Sequence, residues 1–489
     1  MAKKPNAGFV IDSYDLPDVP DYVVVELKYE APVTFSASAF AAPAAGEPAA
    51  SSLNSILSKF DIHELRSHFD LSATTITRRA APASLLPEAP TSKALAKKGL
   101  GTDFIQSGFI QVLPKLAKDA TRLVTALKKS NSVWNAYVAP RPVPASASGS
   151  AAGSRNFEPS QGYLHSPPNG IGAMEVWNLP GAKGEGVRIC DIEGAWNLAH
   201  EDLPAGITLI GGTMINDLGW RNHGTAVLGE MISQPNAFGT VGISPKATVV
   251  VHSAIINNVF NAAGAITNAT AALKAGDVIL IELHAPSPIT GKFIAMQFWS
   301  DVFSAIVAAT QKGITVVEAA GNGNEDFEQA IYANSGLQKD SGAVVVGAGI
   351  PPTNFFDVDG FGSQFPGYSQ IGVPRSRIFF SNYGKIVNVH GWGWNVSTLG
   401  YGDAQGGASE NQWYTLRFSG TSSASPIVTA AVASIQGRAK KVKGAPLTPA
   451  EVRKLLMSTG TPQVDGPGVP LTQRIGPLPN LPKALAKIV

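Results

Sequence analysis

The sequence predicts an α/β protein with a doubly wound, mostly parallel sheet, preceded by a small α+β domain. Three observations predict this class. Short apolar runs alternate with helical segments in the back part of the chain, the front part has a different segment order, and a Pro/Ala/Ser/Gly tract lies between them. With 489 residues, of which 44% are hydrophobic, the chain can bury a large core in two or three domains.

The front part, residues 1–140, reads as strand, helix, strand, helix, strand. "DYVVVELKYE", "SGFIQVLPKL" and "SVWNAYVAP" are the strands, "SSLNSILSKF" is an amphipathic helix, and "KDATRLVTALKKS" is a helix opened by Asp119. A stretch rich in Ala, Pro and Lys, from about 71 to 100, forms a long insertion. The order predicts two βαβ-like halves, as in ferredoxin-like α+β domains.

Residues 141–160, "RPVPASASGSAAGSRNFEPS", contain too few apolar side chains to order themselves against a core. They therefore predict an exposed linker, and the remaining residues, 161–489, form the larger domain. In that domain "GVRICDIE", "ATVVVHSAI", "DVILIELH", "GITVVEAA" and "GAVVVGAG" are apolar nearly throughout, which is typical of parallel strands buried on both faces. The helix candidates between them are "HGTAVLGEMIS", "NAAGAITNATAALKAG" and "SDVFSAIVAATQKG", and a site is expected at the carboxyl ends of the strands.

The composition of the chain argues against nucleic acid and membranes as partners and against disulfide bonds within the chain. A net charge of +2 gives no field for nucleic acid or an anionic membrane, and no apolar run is long enough to span a bilayer. The first residues lack the apolar region of a secretory signal, which leaves the location unknown, either the cytoplasm or outside the cell by a non-standard route. The single cysteine, Cys190, excludes an intramolecular disulfide and a cysteine metal cluster.

Three stretches carry a resemblance to a known family. "RNHGTAVLG", "VVEAAGNGN" and "FSGTSSASPIVTAAVASI" resemble, in the family's order, the histidine, oxyanion and serine motifs of the subtilase serine proteases. The resemblance covers roughly residues 160–489. It implies a subtilisin-like peptidase domain that hydrolyses protein or peptide substrates as an endopeptidase.

The resemblance assigns three roles, and the chemistry agrees with them. Ser422 matches the nucleophile, His223 the general base and Asn322 the side-chain donor to the oxyanion. A serine hydroxyl needs a histidine to take its proton, and the histidine needs a carboxylate to fix its tautomer. Ser422 also precedes a helix-compatible run, so backbone N–H groups would face developing negative charge. The neighbouring Ser423 and Ser425 are expected to cap or pack.

The acid of the triad departs from the family pattern. In "VRICDIEGAWNLAHEDL", matching the first acid gives Asp191 with a two-residue insertion, whereas matching without a gap gives Glu193. Side chains two residues apart on a strand face the same side, so both remain candidates. Glu193 is preferred because it lies nearer the carboxyl end of the strand, and glutamate serves in triads on other folds.

The segment "DVILIELHAPSP" resembles the strand that pairs with the extended substrate in this family. The substrate-binding residues implied are Glu282, Leu283 and His284, with Ala320 and Gly321 from the oxyanion motif. Glu282 occupies a position where the family commonly has serine, and a second unusual acid, Glu318, precedes "AAGN". A pair of buried carboxylates at one site would share a proton or favour a basic substrate side chain; the alternative is that they point elsewhere.

Two further expectations come from the resemblance. No cofactor is required for the chemistry, but "SQPNAFGTVG" resembles a calcium loop, with Asp202 and Asn236 as oxygen ligands; an ordinary surface turn is the alternative. The front domain would be a propeptide that inhibits its own peptidase domain until the zymogen is cut, or else an independent binding domain.

Two rival functions remain open. The altered acid motif is compatible with a catalytically inactive subtilase-fold binding protein. An acid-acting relative with glutamate in its triad is the other rival, although "HGT" argues against it.

Overall fold

The computed structural model describes residues 21–27, 33–35, 40–41, 47–67, 75–76, 109–140, 155–352 and 373–489. Most of the predicted linker 141–160 lies outside the described residues, as does the predicted insertion 71–100 apart from residues 75–76.

The front region contains a four-stranded antiparallel sheet with two helices on one face. Its elements are β1 (Val23–Leu27), β2 (Val33–Phe35), β3 (Phe40–Ala41), α1 (Glu47–Leu57), β4 (Ile62–Ser67), β5 (Thr75–Ile76), β6 (Phe109–Pro114), α2 (Ala117–Leu127) and β7 (Val133–Val138). The strand order β4-β6-β1-β7 is that of a split βαβ arrangement, which confirms the predicted α+β class. Helix α2 begins at Ala117, before Asp119, so the predicted opening residue was wrong by two positions.

Alternation along β1 shows how this sheet is used. Val23 and Val25 pack with Leu53 and Leu123 under the two helices, whereas Val24 points to the other face and joins the core of the larger domain. The sheet is therefore buried on both faces, on one side by its own helices and on the other by the rest of the molecule.

The larger domain is built around seven parallel strands in the order β18-β17-β16-β13-β8-β10-β9. The strands of this sheet are β8 (Arg188–Glu193), β9 (Thr208–Gly211), β10 (Thr248–Ser253), β13 (Val278–Ile281), β16 (Thr315–Ala319), β17 (Val344–Gly349) and β18 (Val387–Trp392). Short antiparallel pairs are β11 (Ile255–Ile256) with β12 (Val259–Phe260), β14 (His284–Pro286) with β15 (Phe293–Ala295), and β19 (Val396–Leu399) with β20 (Tyr414–Phe418).

Helices cover both faces of this sheet. They are α3 (Ala173–Val176), α4 (Leu218–Ile232), α5 (Ala262–Ala272), α6 (Ser300–Gln311), α7 (Thr421–Lys443), α8 (Pro449–Thr459) and α9 (Leu481–Leu485). Short 3₁₀ turns lie at Glu158–Ser160, Gly162–Leu164, Met296–Phe298, Ala330–Tyr332, Gly336–Gln338 and Glu410–Gln412. Helices α4 and α7 pack on one side, here called the α4/α7 face, and α5 and α6 pack on the other, the α5/α6 face.

The five predicted parallel strands are all present, and the doubly wound class is confirmed. Two strands were missed. β9 is a short, largely exposed edge strand, and β18 interrupts its apolar pattern with Asn388 and His390. Helix α4 begins at Leu218, five residues before the predicted start, because Asp217 accepts a 2.9 Å hydrogen bond from the Trp220 N–H and caps it.

The chain order creates a crevice at β8. Connections from β8 first go to β9 and β10 on one side, and then cross to β13 on the other. Ligands bind at the carboxyl ends of the strands on either side of such a reversal. Glu193 is the last residue of β8, so it marks this point.

Candidate active site

Glu193 and His223 meet at the reversal point. The Nδ1 atom of His223, in the second turn of α4, lies 2.7 Å from Oε2 of Glu193, and both side chains are buried. Burial raises the pKa of Glu193 and lowers the pKa of His223 to about 3. A neutral imidazole whose Nδ1–H donates to the carboxylate leaves the lone pair of Nε2 available as a base.

Asp191 has a different partner. It lies on the same α4/α7 face, but its Oδ2 accepts a 2.7 Å hydrogen bond from Nε1 of Trp196. Burial raises the pKa of this carboxyl, and the nearby Glu193 carboxylate raises it further. Of the two acids that the sequence left open, the structure therefore brings Glu193 to His223.

The serine motif forms the turn into α7. Gly420 has a φ of 106°, a conformation that glycine adopts readily and that residues with a Cβ rarely adopt. A Cβ at this position would also lie only 3.0 Å from Nδ2 of Asn322. Ser422 is the second residue of the helix, where backbone N–H groups have no intrahelical acceptor. Its side chain is 6% exposed, whereas Glu193 is fully buried, so Ser422 is the member of this group that reaches the surface.

Asn322 is held in one orientation by the serine turn. Its Oδ1 accepts hydrogen bonds from the N–H of Thr421 at 2.9 Å and from the Thr421 hydroxyl at 3.0 Å. Because Oδ1 is occupied, the Nδ2 group is left on the side of Gly420 and the start of α7. The amide N–H groups of Asn322 therefore lie beside the helix turn that carries Ser422.

The two serines that follow Ser422 differ from each other. Ser423 donates to Trp392 O at 2.9 Å or to Gly420 O at 3.1 Å, which fits the expected packing role. Ser425 instead donates to Oε2 of Glu282, whose carboxyl group follows the last residue of β13, or to Thr421 O at 2.7 Å. The contact ties α7 to the sheet directly beneath the serine turn.

The predicted substrate residues lie around this turn, but Glu282 is only 2% exposed. Leu283 is also buried, and His284 pairs with Ala295 in the β14–β15 hairpin while its ring stacks on Phe293 at 4.4 Å. One edge of the predicted substrate strand is thus covered by the chain's own hairpin. The pocket role of Glu282 remains a prediction, and the buried carboxyl gives it no support.

Ala320 and Gly321 are braced by Asn382. The Nδ2 group of Asn382 donates to the carbonyls of Ala320 at 2.7 Å and Phe293 at 2.8 Å. The Gly321 N–H donates to the Thr421 hydroxyl at 3.2 Å, so this loop is fixed to both the hairpin and the serine turn. Asn382 was missed because a single asparagine in "FSNYGK" has no distinguishing pattern.

Of the two alternatives for Glu282 and Glu318, the structure contradicts a pair facing one site and agrees with carboxyls that point elsewhere. Glu318 pairs with Ile281 in the parallel register, so Glu318 lies on the α5/α6 face and Glu282 on the α4/α7 face. Oε1 of Glu318 accepts a 2.7 Å hydrogen bond from the Gln297 N–H, and burial raises its pKa to about 8. The acidic neighbours of Glu282 are instead Glu193, Asp191 and Glu230. Glu193 and Asp191 raise the pKa of Glu282, and Glu282 raises the pKa of Glu230.

Glu230 is a further residue that sequence reasoning missed. It is fully buried on α4, two turns after His223, and in the described part of the chain neither of its carboxylate oxygens has a hydrogen-bond partner. Burial raises its pKa, and the nearby Glu282 raises it further. The available signal was a lone glutamate inside the otherwise apolar and small-residue run "HGTAVLGEMIS".

The predicted calcium ligands do not fit a metal ion in this geometry. Oδ1 of Asp202 accepts a 2.7 Å hydrogen bond from Asn236 Nδ2, and its Oδ2 accepts from the Thr240 N–H at 2.8 Å. Asn236 uses its own oxygen to accept from the Phe238 N–H at 3.0 Å. Protein donors thus occupy the oxygens that calcium would need, and among the described residues no cluster of three acidic, His or Cys side chains is arranged for a metal.

A comparison with models of protein families identifies the family of this chain. A family model, the subtilase family of peptidases, matches residues 210–476. The chain therefore belongs to the subtilase family of serine proteases. The match includes His223, Asn322 and Ser422 but starts after β8, so it does not cover Glu193 or Asp191.

The solved structures to which this chain is similar include a protease from Pseudoalteromonas arctica PAMC 21717, at 19% identity, over 69% of this chain and all (100%) of that one, with a TM-score of 0.48. The patellamide maturation protease PatA is similar at 20% identity, over 62% and 97% of the two chains, with a TM-score of 0.44. The prenylagaramide maturation protease PagA is similar at 18% identity, over 65% of this chain and 98% of that one, with a TM-score of 0.44.

No curated protein sequence matches the chain. Within the described residues, no helix has the length and apolarity to cross a membrane.

Proposed function

We propose that the chain is a serine endopeptidase in which Ser422 attacks the peptide carbonyl, His223 is the general base and Glu193 orients the histidine. The observation that carries this proposal is the 2.7 Å hydrogen bond between Glu193 Oε2 and His223 Nδ1. On the other side of the ring, His223 Nε2 has no hydrogen-bond partner among the described residues, so it is free to accept a proton.

The chemistry follows from these positions. Ser422 gives its proton to Nε2 as its oxygen bonds to the carbonyl carbon, and Glu193 stabilises the imidazolium that forms. Negative charge then develops on the carbonyl oxygen, for which Asn322 Nδ2 and the N–H groups at the start of α7 are the proposed donors. His223 returns the proton to the leaving amine, and water repeats the sequence on the acyl-enzyme.

The front domain is the proposed intramolecular inhibitor of a zymogen, released by a cut within residues 139–160. Its support is an extensive contact with the peptidase domain. The Tyr22 hydroxyl donates to Phe260 O, the Ser300 hydroxyl donates to Glu26 at 3.0 Å, and the Tyr137 hydroxyl donates to Asp301. These contacts hold the antiparallel sheet against the starts of α5 and α6, next to apolar residues shared by both domains.

The test is labelling with a fluorophosphonate probe, with intact masses recorded. We expect the wild type to be labelled and to lose the mass of the front domain, whereas Ser422→Ala stays unlabelled and whole because it lacks the nucleophile. Ser423→Ala is the matched control. It removes the adjacent hydroxyl, whose partners are the backbone carbonyls of Trp392 and Gly420, and it should be labelled like the wild type.

Other outcomes separate the parts of the proposal. Labelling without any mass loss would reject self-processing but keep the hydrolase. No labelling of the wild type, even after the front domain is cut away by another protease, would reject the enzyme, and a binding protein on a subtilase fold would replace it.

A further inference from the structure

Four buried carboxyl groups form one layer beneath the serine turn. Asp191 and Glu193 come from β8, Glu282 follows the last residue of β13, and Glu230 comes from α4. Asp191 pairs with Leu280 in the sheet register, and the Glu282 N–H reaches Ile192 O, so the three sheet residues share the α4/α7 face. We call these four residues the carboxyl layer.

Few of the oxygens in the carboxyl layer have a partner. Three of them are hydrogen-bonded, by Trp196, His223 and Ser425. The other five, within the described residues, have none: Asp191 Oδ1, Glu193 Oε1, both oxygens of Glu230 and Glu282 Oε1. A buried ionised carboxylate without donors is costly, because nothing replaces its hydration.

No cation of the described chain relieves this cost. The charged groups that act on the layer are the other carboxyls of the layer, and none of the Lys or Arg ion pairs found among the described residues includes one of the four. Several adjacent buried carboxyls cannot all be ionised, so they hold protons between them. Glu193 is the member best placed to be ionised during turnover, because it faces the histidine that takes up the proton.

Glu282 is the member of the carboxyl layer that contacts α7, the helix that carries the nucleophile. Ser425 donates to its Oε2, and Ser422 lies three residues earlier on α7, on the same side of the helix, where its hydroxyl lowers the pKa of the same carboxyl. In the proposed mechanism Ser422 therefore has two competing acceptors, the carboxyl of Glu282 and Nε2 of His223. A carboxylate accepts a hydrogen bond more strongly than a neutral carboxylic acid does.

Resting on the proposed function, we propose that Glu282 is a positioning residue that must be protonated for Ser422 to act. As a neutral acid it leaves the Ser422 hydroxyl to His223. Once ionised, it holds that hydroxyl in a competing hydrogen bond and places a negative charge beside the serine turn, where the proposed mechanism forms an oxyanion. The expected consequence is a loss of nucleophile reactivity at alkaline pH.

The groups around Glu282 favour its neutral form. Burial raises its pKa, Glu193 and Asp191 raise it further, and the hydroxyls of Ser425 and Ser422 lower it. From α4, Glu230 and His223 face the same space, while α7 contributes uncharged hydroxyls. His284 follows on the same segment, and burial lowers its pKa to about 3, so it stays neutral. Glu318 lies on the opposite face.

The experiment measures the second-order rate of fluorophosphonate labelling from about pH 5 to about pH 10 for the full chain, Glu282→Gln and Glu318→Gln. We expect the wild-type rate to fall about tenfold per pH unit above the apparent pKa of Glu282. Glu282→Gln keeps a neutral side chain at every pH, so its rate should not fall. Glu318→Gln, a buried carboxyl on the other face, should keep the wild-type fall. Circular dichroism at each pH establishes that the variants remain folded.

The remaining outcomes all decide against part of the argument. A wild type that is labelled without an alkaline fall, or a folded Glu282→Gln with the same fall, overturns the role of Glu282. A folded Glu282→Gln that is never labelled means that the ionised form is required, which also overturns it. No labelling of the wild type at any pH overturns the proposed function itself. Infrared spectra give an independent readout, since the band of a protonated carboxylic acid should weaken in Glu282→Gln at neutral pH.

Discussion

The two faces of the central sheet both bury glutamate, yet they use it differently. On the α5/α6 face, Glu318 is surrounded by apolar side chains and is fixed by backbone N–H groups of the turn at Met296 and Gln297. On the α4/α7 face, Glu193 and Glu282 have side-chain partners that belong to the histidine and serine motifs. Glutamates are fully or almost fully buried on both faces, so burial by itself does not identify a functional acid.

The difference comes from strand parity. In parallel strands, side chains alternate between the faces, and one residue of shift moves a carboxyl from the α4/α7 face to the α5/α6 face. Ile281 and Glu282 illustrate this, because the first packs with the α5/α6 core and the second meets α7. Glu193 adds a second requirement, since it lies at the carboxyl end of its strand, where α4 presents His223.

The largest effect is expected when the two acids of β8 are neutralised separately, which tests which of them supports His223. Glu193→Gln should reduce turnover by about 10⁴-fold, because the histidine loses the carboxylate that fixes its tautomer. Asp191→Asn should have a far smaller effect, since Asp191 is hydrogen-bonded to Trp196. The measurement is the single-turnover rate of acylation for both variants with circular dichroism as a check. A larger loss for Asp191→Asn would reverse the assignment.

A second test concerns the polar side chain contributed by the loop after β16. Asn322→Ala should lower the acylation rate by about 10²–10³-fold, because it removes a proposed oxyanion donor. Asn322→Asp keeps an oxygen for the N–H and hydroxyl of Thr421 but removes the donor, so it should be equally impaired. If Asn322→Asp retained the wild-type rate, the asparagine would serve only to hold the serine turn.

The sequence predicted the residues of this candidate site better than it predicted which side chains contact one another. His223, Asn322 and Ser422 were proposed as site residues because each sits in a motif of fixed local spacing. The acid of the proposed triad stayed open between Glu193, which was preferred, and Asp191, because the two share a face and periodicity cannot separate them. What separates them is the contact between Trp196 and Asp191, which depends on how the loop after β8 folds back.

The carboxyl layer was harder still to predict. Glu230 gave a weak signal, because one glutamate in a helix usually faces solvent, and only the packing of α4 against α7 buries it. The pairing of Glu282 with Glu318 failed for a related reason. Both glutamates lie at the ends of neighbouring strands, so the sequence predicted that they are close together. Only the register of β13 and β16 shows that their side chains lie on opposite faces of the sheet.

The smallest expected effect concerns stability on the α5/α6 face. The folded-state pKa of Glu318 is raised from 4.5 to about 8, so its neutral form favours folding below about pH 4.5, and this contribution is lost as the pH rises through about 8. Glu318→Gln should therefore flatten the decline in unfolding free energy across this window, by up to about 1.4 kcal/mol per pH unit. Urea unfolding at several pH values measures it. The labelling rate at a fixed pH should stay within about twofold of wild type, since structural substitutions away from a site act mainly on stability. An unchanged stability slope would mean that Glu318 titrates in the folded chain as it does in the unfolded chain, and a lost labelling rate would mean that the two faces are not independent.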